Sequence, residues 1–165
     1  MNQPELRAAV LTASDRCSQG ATDLSGPLLA KHVRALGIEV AEVAVVPDDQ
    51  LAIVKKLVYW SDELKLNLIV TTGGTGVSPR DVTPEATRMV LERPLPGIGE
   101  SMRAESAKHT PQGMLSRCVA GSRGATLIVN FPGNPRAVEE LWPVLAPVVV
   151  HACRLLAGKD DPHTG

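Results

Sequence analysis

Short apolar runs alternate with segments of helical periodicity along most of this chain, and this alternation restricts the possible folds more than any other sequence feature. Apolar runs of strand length, each followed by polar or glycine-containing residues, cover 6–13, 38–46, 66–72 and 126–131. Apolar residues recur at helical spacing over 27–37, 49–64, 83–92 and 97–108. Buried strands joined by helical crossovers predict an α/β fold of three layers, with a mainly parallel sheet and helices on both faces.

Individual residues predict where some of the helices begin and where one of them is interrupted. Asp49 is placed to cap the second helix, and Thr83 is expected to be an N-cap with Pro84 at the first helical position. The last helical segment contains Pro143 and Pro147. Because each proline removes a hydrogen bond within the helix, we expect a kink or two short helices there.

Size and charge exclude several classes of protein. The chain has 165 residues, of which 44% are apolar and 21% are charged. We expect one domain over 1–157, since domains typically take about 100–200 residues, and a flexible tail over 158–165. With 17 basic and 18 acidic residues, no basic run, no leader pattern and no long apolar segment, the chain is expected to be cytoplasmic, with neither nucleic acid nor a membrane as a partner.

The cysteines and histidines do not form a recognisable metal or nucleophile motif. Cys17, Cys118 and Cys153 are widely spaced, which favours reduced thiols over a disulfide framework or a zinc site. None of the histidines has metal-ligand spacing with a cysteine, and His109 is expected in a loop. The absence of a Gly-x-Ser-x-Gly pentapeptide makes acyl transfer a poor hypothesis.

A glycine-rich loop after the third predicted strand is the strongest local signal for ligand binding. The segment reads Thr71-Thr72-Gly73-Gly74-Thr75-Gly76 and precedes a predicted helix N-terminus. Glycines allow backbone N–H groups to approach a ligand closely, and a helix N-terminus attracts anions, so phosphate is the expected ligand. The spacing fits neither a Walker loop nor the dinucleotide fingerprint. A tight strand-to-helix turn without a ligand explains the same glycines.

Two aspartates follow neighbouring predicted strands. Asp48 comes after the second strand and Asp81 after the third. Both carboxylates are therefore expected at the same edge of the sheet, where magnesium could be held by one or two carboxylates together with substrate phosphate. Taken singly, each aspartate is more often a loop residue or a helix cap than a metal ligand.

The loop after the first strand, 14–26, offers further candidate ligands. Ser14 and Asp15 leave the strand, while Ser25 and Gly26 lie at the start of the next predicted helix. The hydroxyl groups and free amides could hold phosphate. A purely structural N-cap at Ser25 is an equally good explanation.

The loop after the last predicted strand suits a flat heterocycle. It combines proline geometry with amide groups in the segment Asn130-Phe131-Pro132-Gly133-Asn134-Pro135. Ser116 and Arg117 could add a hydroxyl group and a positive charge for phosphates. A proline-rich connection and ordinary surface residues are the alternative explanations.

Taken together, these blocks resemble the molybdopterin adenylyltransferase family, whose bacterial members are similar to the G domain of gephyrin. The resemblance runs from about residue 9 to residue 156. Its four ordered blocks are 12–16 with 23–27, 71–86, 115–117 and 130–135. Related molybdenum insertases carry similar domains but are much longer than this chain.

The resemblance implies a molybdopterin-binding α/β fold, a homotrimer with one site in each subunit, and Mg²⁺- and ATP-dependent adenylylation of molybdopterin. A molybdenum insertase is a possible partner. Asp48 and Asp81 match the family's two acidic positions and are expected to be catalytic and to hold Mg²⁺. Two departures concern the pterin-side loop, since Phe131 replaces the usual leucine and Asn134 a common serine.

The remaining positions that match the family's motifs are expected to bind ATP or molybdopterin. They are Ser14, Asp15, Ser25, Gly26, Thr72, Gly73, Gly74, Thr75, Gly76, Ser116, Arg117, Asn130, Pro132, Gly133, Asn134 and Pro135. Two other functions remain open at the level of sequence. One is a noncatalytic paralogue that stores or presents the pterin, and the other is a regulatory nucleotide-binding module that uses the glycine loop alone.

Overall fold

The computed structural model of the chain describes residues 6–159, and a six-stranded sheet lies at its centre. The strands are β1 (Arg7–Ala13), β2 (Glu39–Val46), β3 (Leu68–Thr72), β4 (Arg93–Pro94), β5 (Ala120–Arg123) and β6 (Thr126–Phe131). Their order in the sheet is β2-β1-β3-β6-β5-β4. The first four in that order are parallel, whereas β5 runs antiparallel to both β6 and β4. The expected mainly parallel sheet is therefore confirmed.

Helices connect the strands and flank the sheet. They are α1 (Asp15–Ser18), α2 (Ser25–Ala35), α3 (Gln50–Val58), α4 (Thr83–Val90), α5 (Pro96–His109) and α6 (Pro135–Leu156). A π-helical turn, Tyr59–Glu63, extends α3. A 3₁₀ turn, Pro111–Leu115, follows α5.

Two buried apolar clusters, one on each face of the sheet, hold the layers together. The first includes Leu29 of α2, Met102 of α5 and Leu141 of α6. The second includes Ile53 of α3 and Ala86 of α4. Burying these side chains from both sides explains why β1, β3 and β6 are continuous apolar runs rather than alternating ones. The three-layer α/β prediction is confirmed.

The register of the strands places their carboxyl ends side by side. Thr12 of β1 pairs with Thr72 of β3, which pairs with Phe131 of β6. On the other side, Ala13 pairs with Val46 of β2. The loops that follow these four strands therefore emerge at one edge of the sheet, where ligands bind in open α/β sheets.

The segment 14–26, expected to be a loop, contains the one-turn helix α1. Ser14 caps it, because its Oγ accepts a hydrogen bond from the backbone N–H of Cys17 at 3.1 Å. A four-residue helix is too short to show apolar periodicity. The capping serine is therefore the local signal that marks it.

The start of α2 also differs from the expectation. The helix begins at Ser25, two residues before the predicted Pro27, and Ser25 is not a capping residue. Asp23 supplies the nearby side-chain hydrogen bond instead, accepting from the N–H of Gly26 at 3.1 Å. The N-cap explanation of Ser25 is wrong, because its hydroxyl donates to the carbonyl of Gly133 at 3.3 Å.

The two other predicted caps have opposite outcomes. Asp49 caps α3 as expected, accepting from the N–H of Ala52 at 2.8 Å. Thr83, expected to be an N-cap, is instead the first residue of α4. Its hydroxyl is fully buried and has no hydrogen-bond partner in the described part of the chain.

The last helix is continuous. Pro143 and Pro147 both lie inside α6, so the expectation of two short helices is wrong. Leu141, Leu145 and Val149 form one buried face that packs into the first cluster. Since burying a leucine or valine side chain contributes about 1.5–3 kcal/mol, this face offsets the lost backbone hydrogen bonds.

Smaller features of the chain complete the comparison with the sequence. Strand β5 forms an antiparallel hairpin with β6. His109 ends α5 rather than lying in a loop. All three cysteines are free, and burial raises the pKa of Cys153 to about 12. No helix within residues 6–159 has the length and apolarity needed to cross a bilayer. Of the expected tail, 160–165 lies outside the described residues.

Candidate active site

The glycine-rich loop packs directly against the end of β1. Gly73 and Gly74 have φ values of +91° and +66°, a backbone region that side chains disfavour. A Cβ atom on Gly73 would lie 2.2 Å from the carbonyl oxygen of Ala13. The N–H of Gly73 also donates to the carbonyl of Phe131 at 3.2 Å. The glycine therefore lets the loop cross the ends of β1 and β6 in close contact.

A cavity of about 410 Å³ opens beside this loop, and we call it the β1 cavity. It lies among the ends of the parallel strands, α1 and the start of α2. Its lining residues are Thr12, Ala13, Ser14, Arg16, Cys17, Ala21, Thr22, Asp23, Leu24, Ser25, Asp48, Gly73, Gly74, Asp81, Gly133 and Pro135. Most of them come from the loops that the sequence places at the carboxyl edge of the sheet.

Asp48 and Asp15 hold each other through reciprocal hydrogen bonds. The N–H of Asp15 donates to Oδ2 of Asp48 at 2.9 Å, and the N–H of Asp48 donates to Oδ1 of Asp15 at 3.0 Å. Arg80 grips Asp15 with two further bonds, from Nε to Oδ2 at 3.0 Å and from Nη2 to Oδ1 at 2.9 Å. These contacts connect the loops after β1, β2 and β3.

The two carboxylates of this pair have opposite pKa shifts. The hydrogen bonds from Arg80 lower the pKa of Asp15 below its usual 3.8. Burial raises the pKa of Asp48 above that value, and the negative charges of Asp15 and Asp81 add to the rise. Asp48 is thus a carboxylate whose ionised form gains from a nearby cation.

Asp81 lies at the end of the glycine loop and is oriented by a local turn. Its Oδ2 accepts from the N–H of Ser78 at 2.9 Å, and its own N–H donates to the Ser78 carbonyl at 2.9 Å. A Cβ atom on Gly76 would lie 2.9 Å from that Oδ2 atom. The absence of a side chain at Gly76 therefore leaves room for the carboxylate.

A second cavity, of about 480 Å³, adjoins the first on the side of α5, and we call it the α5 cavity. Gly74, Asp81 and Gly133 line both cavities. The other residues of the α5 cavity are Thr75, Gly76, Val77, Ser106, Thr110, Gln112, Gly113, Leu115, Ser116, Pro132, Asn134 and Ala137. Two ligands placed in the two cavities would meet at the glycine loop beside Asp81.

Most of the predicted site residues line one of these cavities. The five that line neither cavity are Asp15, Gly26, Thr72, Arg117 and Asn130. Asp15 still reaches the site through Asp48. Thr72 is buried, and its hydroxyl donates to the carbonyl of Pro132 at 2.8 Å. A Cβ atom on Gly26 would lie 2.3 Å from Oδ2 of Asp23.

Asn130 belongs to a buried hydrogen-bond network rather than to a cavity wall. It is fully buried. Its Nδ2 donates to the hydroxyl oxygens of Thr71 at 2.9 Å and Thr87 at 3.0 Å, and its Oδ1 accepts from the N–H of Val119 at 3.2 Å. Asn130 therefore joins β6 to β3, α4 and the start of β5.

Residues of α5 and the 3₁₀ turn complete the α5 cavity, although the sequence did not predict them. Ser106 lies near the end of α5 and Thr110 directly follows the helix, while Gln112 and Gly113 come from the turn. A Cβ atom on Gly113 would lie 2.6 Å from the carbonyl carbon of Ser106. The lack of a side chain at Gly113 lets the turn pack on α5, and this glycine is the one feature of the sequence that could have indicated the contact.

The acidic residues at the site suit an oxygen-coordinated cation that also binds substrate phosphates. Oδ1 of Asp48 lies 3.1 Å from the position that a Cβ atom on Gly74 would take, so it faces the glycine loop. Within residues 6–159, no group of three or more acidic, histidine or cysteine side chains could hold a metal ion. Asp48 and Asp81 fit Mg²⁺ on a different ground, because this ion is usually bound by only one or two carboxylates together with phosphate and water.

The fold and the site define a class of protein: a three-layer α/β domain with a glycine loop and paired carboxylates at the carboxyl edge of its parallel strands. A family model described as a probable molybdopterin binding domain matches residues 9–151. The chain belongs to this family, and the resemblance indicated by its sequence motifs is confirmed.

Individual relatives support the same conclusion. Over 156 residues, the chain is 40% identical to a molybdopterin adenylyltransferase of Helicobacter pylori, covering 93% of this chain and 89% of the relative. It is 42% identical to gephyrin of Dictyostelium discoideum over 168 residues, covering 95% of this chain but 23% of gephyrin. The crystal structure of the molybdopterin biosynthesis enzyme MoaB from Thermus thermophilus is 43% identical, with a TM-score of 0.88, and the match covers 93% of this chain and 98% of that one.

Proposed function

We propose that this chain acts in molybdenum cofactor biosynthesis as a molybdopterin adenylyltransferase, which uses Mg²⁺ and ATP to convert molybdopterin to adenylyl-molybdopterin and pyrophosphate. The observation that carries the proposal is the meeting of two cavities at Gly74, Asp81 and Gly133, with Asp48 beside them. A transfer between two substrates needs such an arrangement, and curated relatives at about 40% identity carry this name.

The proposed reaction joins the two substrates at phosphorus. An oxygen of the terminal phosphate of molybdopterin attacks the α-phosphorus of ATP. The bond from that phosphorus to the oxygen bridging the α- and β-phosphates breaks, and pyrophosphate leaves with the electron pair. The attacking phosphate is already ionised at neutral pH, so no general base is required. Catalysis would then depend on positioning and on electrostatic stabilisation.

The residues divide between the substrates according to the cavity that they line. Ser116, Pro132 and Asn134 line the α5 cavity, which we assign to the pterin. The β1 cavity, lined by Ser14 and Ser25, is assigned to ATP. The backbone of the glycine loop would hold the reacting phosphates between the two.

The aspartates complete this assignment. Asp81 helps to hold the metal–ATP complex, and Asp48 supports the transfer. A divalent cation held by these two aspartates would neutralise part of the negative charge of the substrate phosphates. Asp15 and Arg80 fix Asp48 through the hydrogen bonds described above.

A direct assay tests the proposal. The purified protein is incubated with molybdopterin, ATP and Mg²⁺, and adenylyl-molybdopterin is detected by mass spectrometry. Asp81→Asn should still bind molybdopterin but should lose most of the transfer, because one metal-binding charge is removed. Undiminished turnover by this variant would refute the role of Asp81. If the unmodified protein binds the pterin without forming product, it is the noncatalytic paralogue.

Assembly and partners extend the proposal. We propose that the chain forms a single domain, acts as a homotrimer in the cytoplasm and delivers its product to a molybdenum insertase. The match to gephyrin covers 23% of that protein, so in gephyrin a domain similar to this chain is joined to further sequence. This arrangement supports the proposal that the shorter chain works with a separate partner protein. Sedimentation of the purified protein would test the trimer, and a stable monomer would refute it.

A further inference from the structure

Arg117 spans the glycine loop without lining either cavity. It lies between the 3₁₀ turn and β5, and each of its three guanidinium nitrogens donates to the protein. Nε donates to the carbonyl of Gly76 at 2.7 Å, Nη2 donates to the carbonyl of Asp81 at 2.8 Å, and Nη1 pairs with the carboxylate of Glu85. One side chain thus joins the two ends of segment 76–81 and the first turn of α4.

The backbone around Arg117 is fixed as well. Its N–H donates to the carbonyl of Thr75 at 2.9 Å. The following residue, Cys118, is buried, and its carbonyl accepts from Nη1 of Arg103 on α5 at 2.9 Å. Arg117 is therefore anchored to α5 on one side and to the loop on the other.

The loop that Arg117 holds carries Asp81, which borders both cavities. Residues 76–81 have their two end carbonyls bound to the same guanidinium group. The hydrogen bonds between Asp81 and Ser78 then orient the carboxylate within this closed segment. A shift of the loop would move Asp81 relative to both cavities.

We propose that Arg117 is a positioning residue that sets the place of Asp81, and that it does not bind a substrate phosphate as the sequence suggested. This inference rests on the proposed adenylyl transfer. It is carried by the three loop and helix contacts of the guanidinium group and by the absence of Arg117 from both cavity linings. A lysine amine is a point charge that cannot span the three separate acceptors.

Arg123 offers a matched control. It also makes three guanidinium contacts, two with Asp62 and one with the carbonyl of Val90, and its side chain is 24% exposed against 31% for Arg117. It lines neither cavity, and its partners, Asp62 and Val90, lie outside residues 76–81. Arg123→Lys therefore removes a similar clamp without touching residues 76–81.

The test compares Arg117→Lys with Arg123→Lys in two measurements. The first is hydrogen–deuterium exchange of the ligand-free protein, in which Arg117→Lys should increase exchange over 75–82 and leave α6 unchanged. The second is steady-state adenylyl transfer, in which Arg117→Lys should lower kcat by about 10- to 100-fold, since a misplacement of about 1 Å can cost 100-fold. KM for molybdopterin and for ATP should change by less than about threefold, because the lost contacts are not made to substrate. Arg123→Lys should change neither kcat nor loop exchange.

Three outcomes decide the matter. A large rise in KM with kcat unchanged would overturn the inference, since it would mean that Arg117 binds substrate. Unchanged exchange over 75–82 would also overturn it. If the unmodified protein forms no product while Arg117→Lys still loosens the loop, the proposed function fails but the placement of Asp81 by Arg117 stands.

Two further variants keep the test independent of folding. Glu85→Gln preserves the side-chain shape and weakens one arm of the clamp, so it should reduce kcat less than Arg117→Lys does. In Arg117→Ala, added guanidinium ion should restore part of the lost kcat by filling the vacated position. Absence of any rescue in a folded variant would count against the proposed geometry.

Discussion

Replacing Gly73 by alanine should destabilise the fold by more than the backbone strain alone would predict. The residue has a φ of +91°, and an L-amino acid in the left-handed region costs about 1–2 kcal/mol. In addition, the new Cβ atom would lie 2.2 Å from the carbonyl oxygen of Ala13. Because C···O contacts in proteins run at about 3.3–3.6 Å, the loop or the end of β1 must move by about 1 Å.

The expected magnitude follows from adding these two effects. Forcing extra atoms into a packed region costs about 1–3 kcal/mol. Together with the strain, Gly73→Ala should lower the free energy of unfolding by about 2–5 kcal/mol. Relief of the clash by movement of the loop would also displace Gly74, which borders both cavities.

Gly37 is the matched control, because it separates strain from collision. Its φ is +79°, and no atom lies within 4 Å of the position that its Cβ would take. Gly37→Ala should therefore show the strain alone, about 1–2 kcal/mol.

Urea unfolding followed by circular dichroism measures both variants. With an m-value of about 2 kcal/mol/M, the extra cost at Gly73 should lower the midpoint by about 0.5–1.5 M relative to Gly37→Ala. Equal midpoints for the two variants would refute the claim that the glycine loop is in forced contact with β1.

The remaining predictions concern Asp48 and Asn130. If ionised Asp48 is required, kcat/KM should fall as the pH is lowered, with an apparent pKa above 3.8, because burial raises the pKa of this carboxyl. Stability changes with pH in the opposite direction to activity. Because folding raises the pKa of Asp48, its ionisation at higher pH lowers the free energy of unfolding. Asp48→Asn should therefore lose transfer at neutral pH without losing stability. Asn130→Ala should lower the free energy of unfolding by about 2–4 kcal/mol, since the half-buried N–H of Val119 and the buried hydroxyl of Thr71 lose their partner, and the Thr87 hydroxyl keeps only its bond to the carbonyl of Thr83. Asn67→Ala, which removes an exposed contact to the N–H of Arg7, should cost about 1 kcal/mol or less, and equal losses in a urea titration would contradict the assigned role of Asn130.

The sequence predicted the architecture well because its signals are local. Period and run length identified the strands of the parallel sheet, and Asp49 was placed correctly because a capping side chain bonds within its own first turn. The wrong N-cap assignments arose because they used only the residue type and its neighbours along the chain. Ser25 and Thr83 look like caps by residue type, but Ser25 bonds to Gly133, 108 positions away, and Thr83 is fully buried with its hydroxyl against Gly74.

The site was partly predictable for a related reason. Parallel strands bring their carboxyl ends to one edge, so residues that follow different strands could be assigned to one place from the sequence. The contribution of α5 could not be anticipated, because helical periodicity indicates a buried face but not the element that the end of the helix approaches. Ser106 and Gly113 meet through such a packing contact.

By itself, the sequence determined the α/β class, the glycine turn, the two aspartates and the membership of the molybdopterin-binding family. These depend on residue periodicity, on backbone conformations that glycine permits and on ordered motifs. Only the tertiary structure decided what the polar residues contact: Asn130 is enclosed in the core, Arg117 holds the loop that carries Asp81, and two cavities share one wall. The physical reason is that most hydrogen-bond partners of Asn130 and Arg117 lie tens of residues away along the chain, and only the packing of the layers brings them within reach.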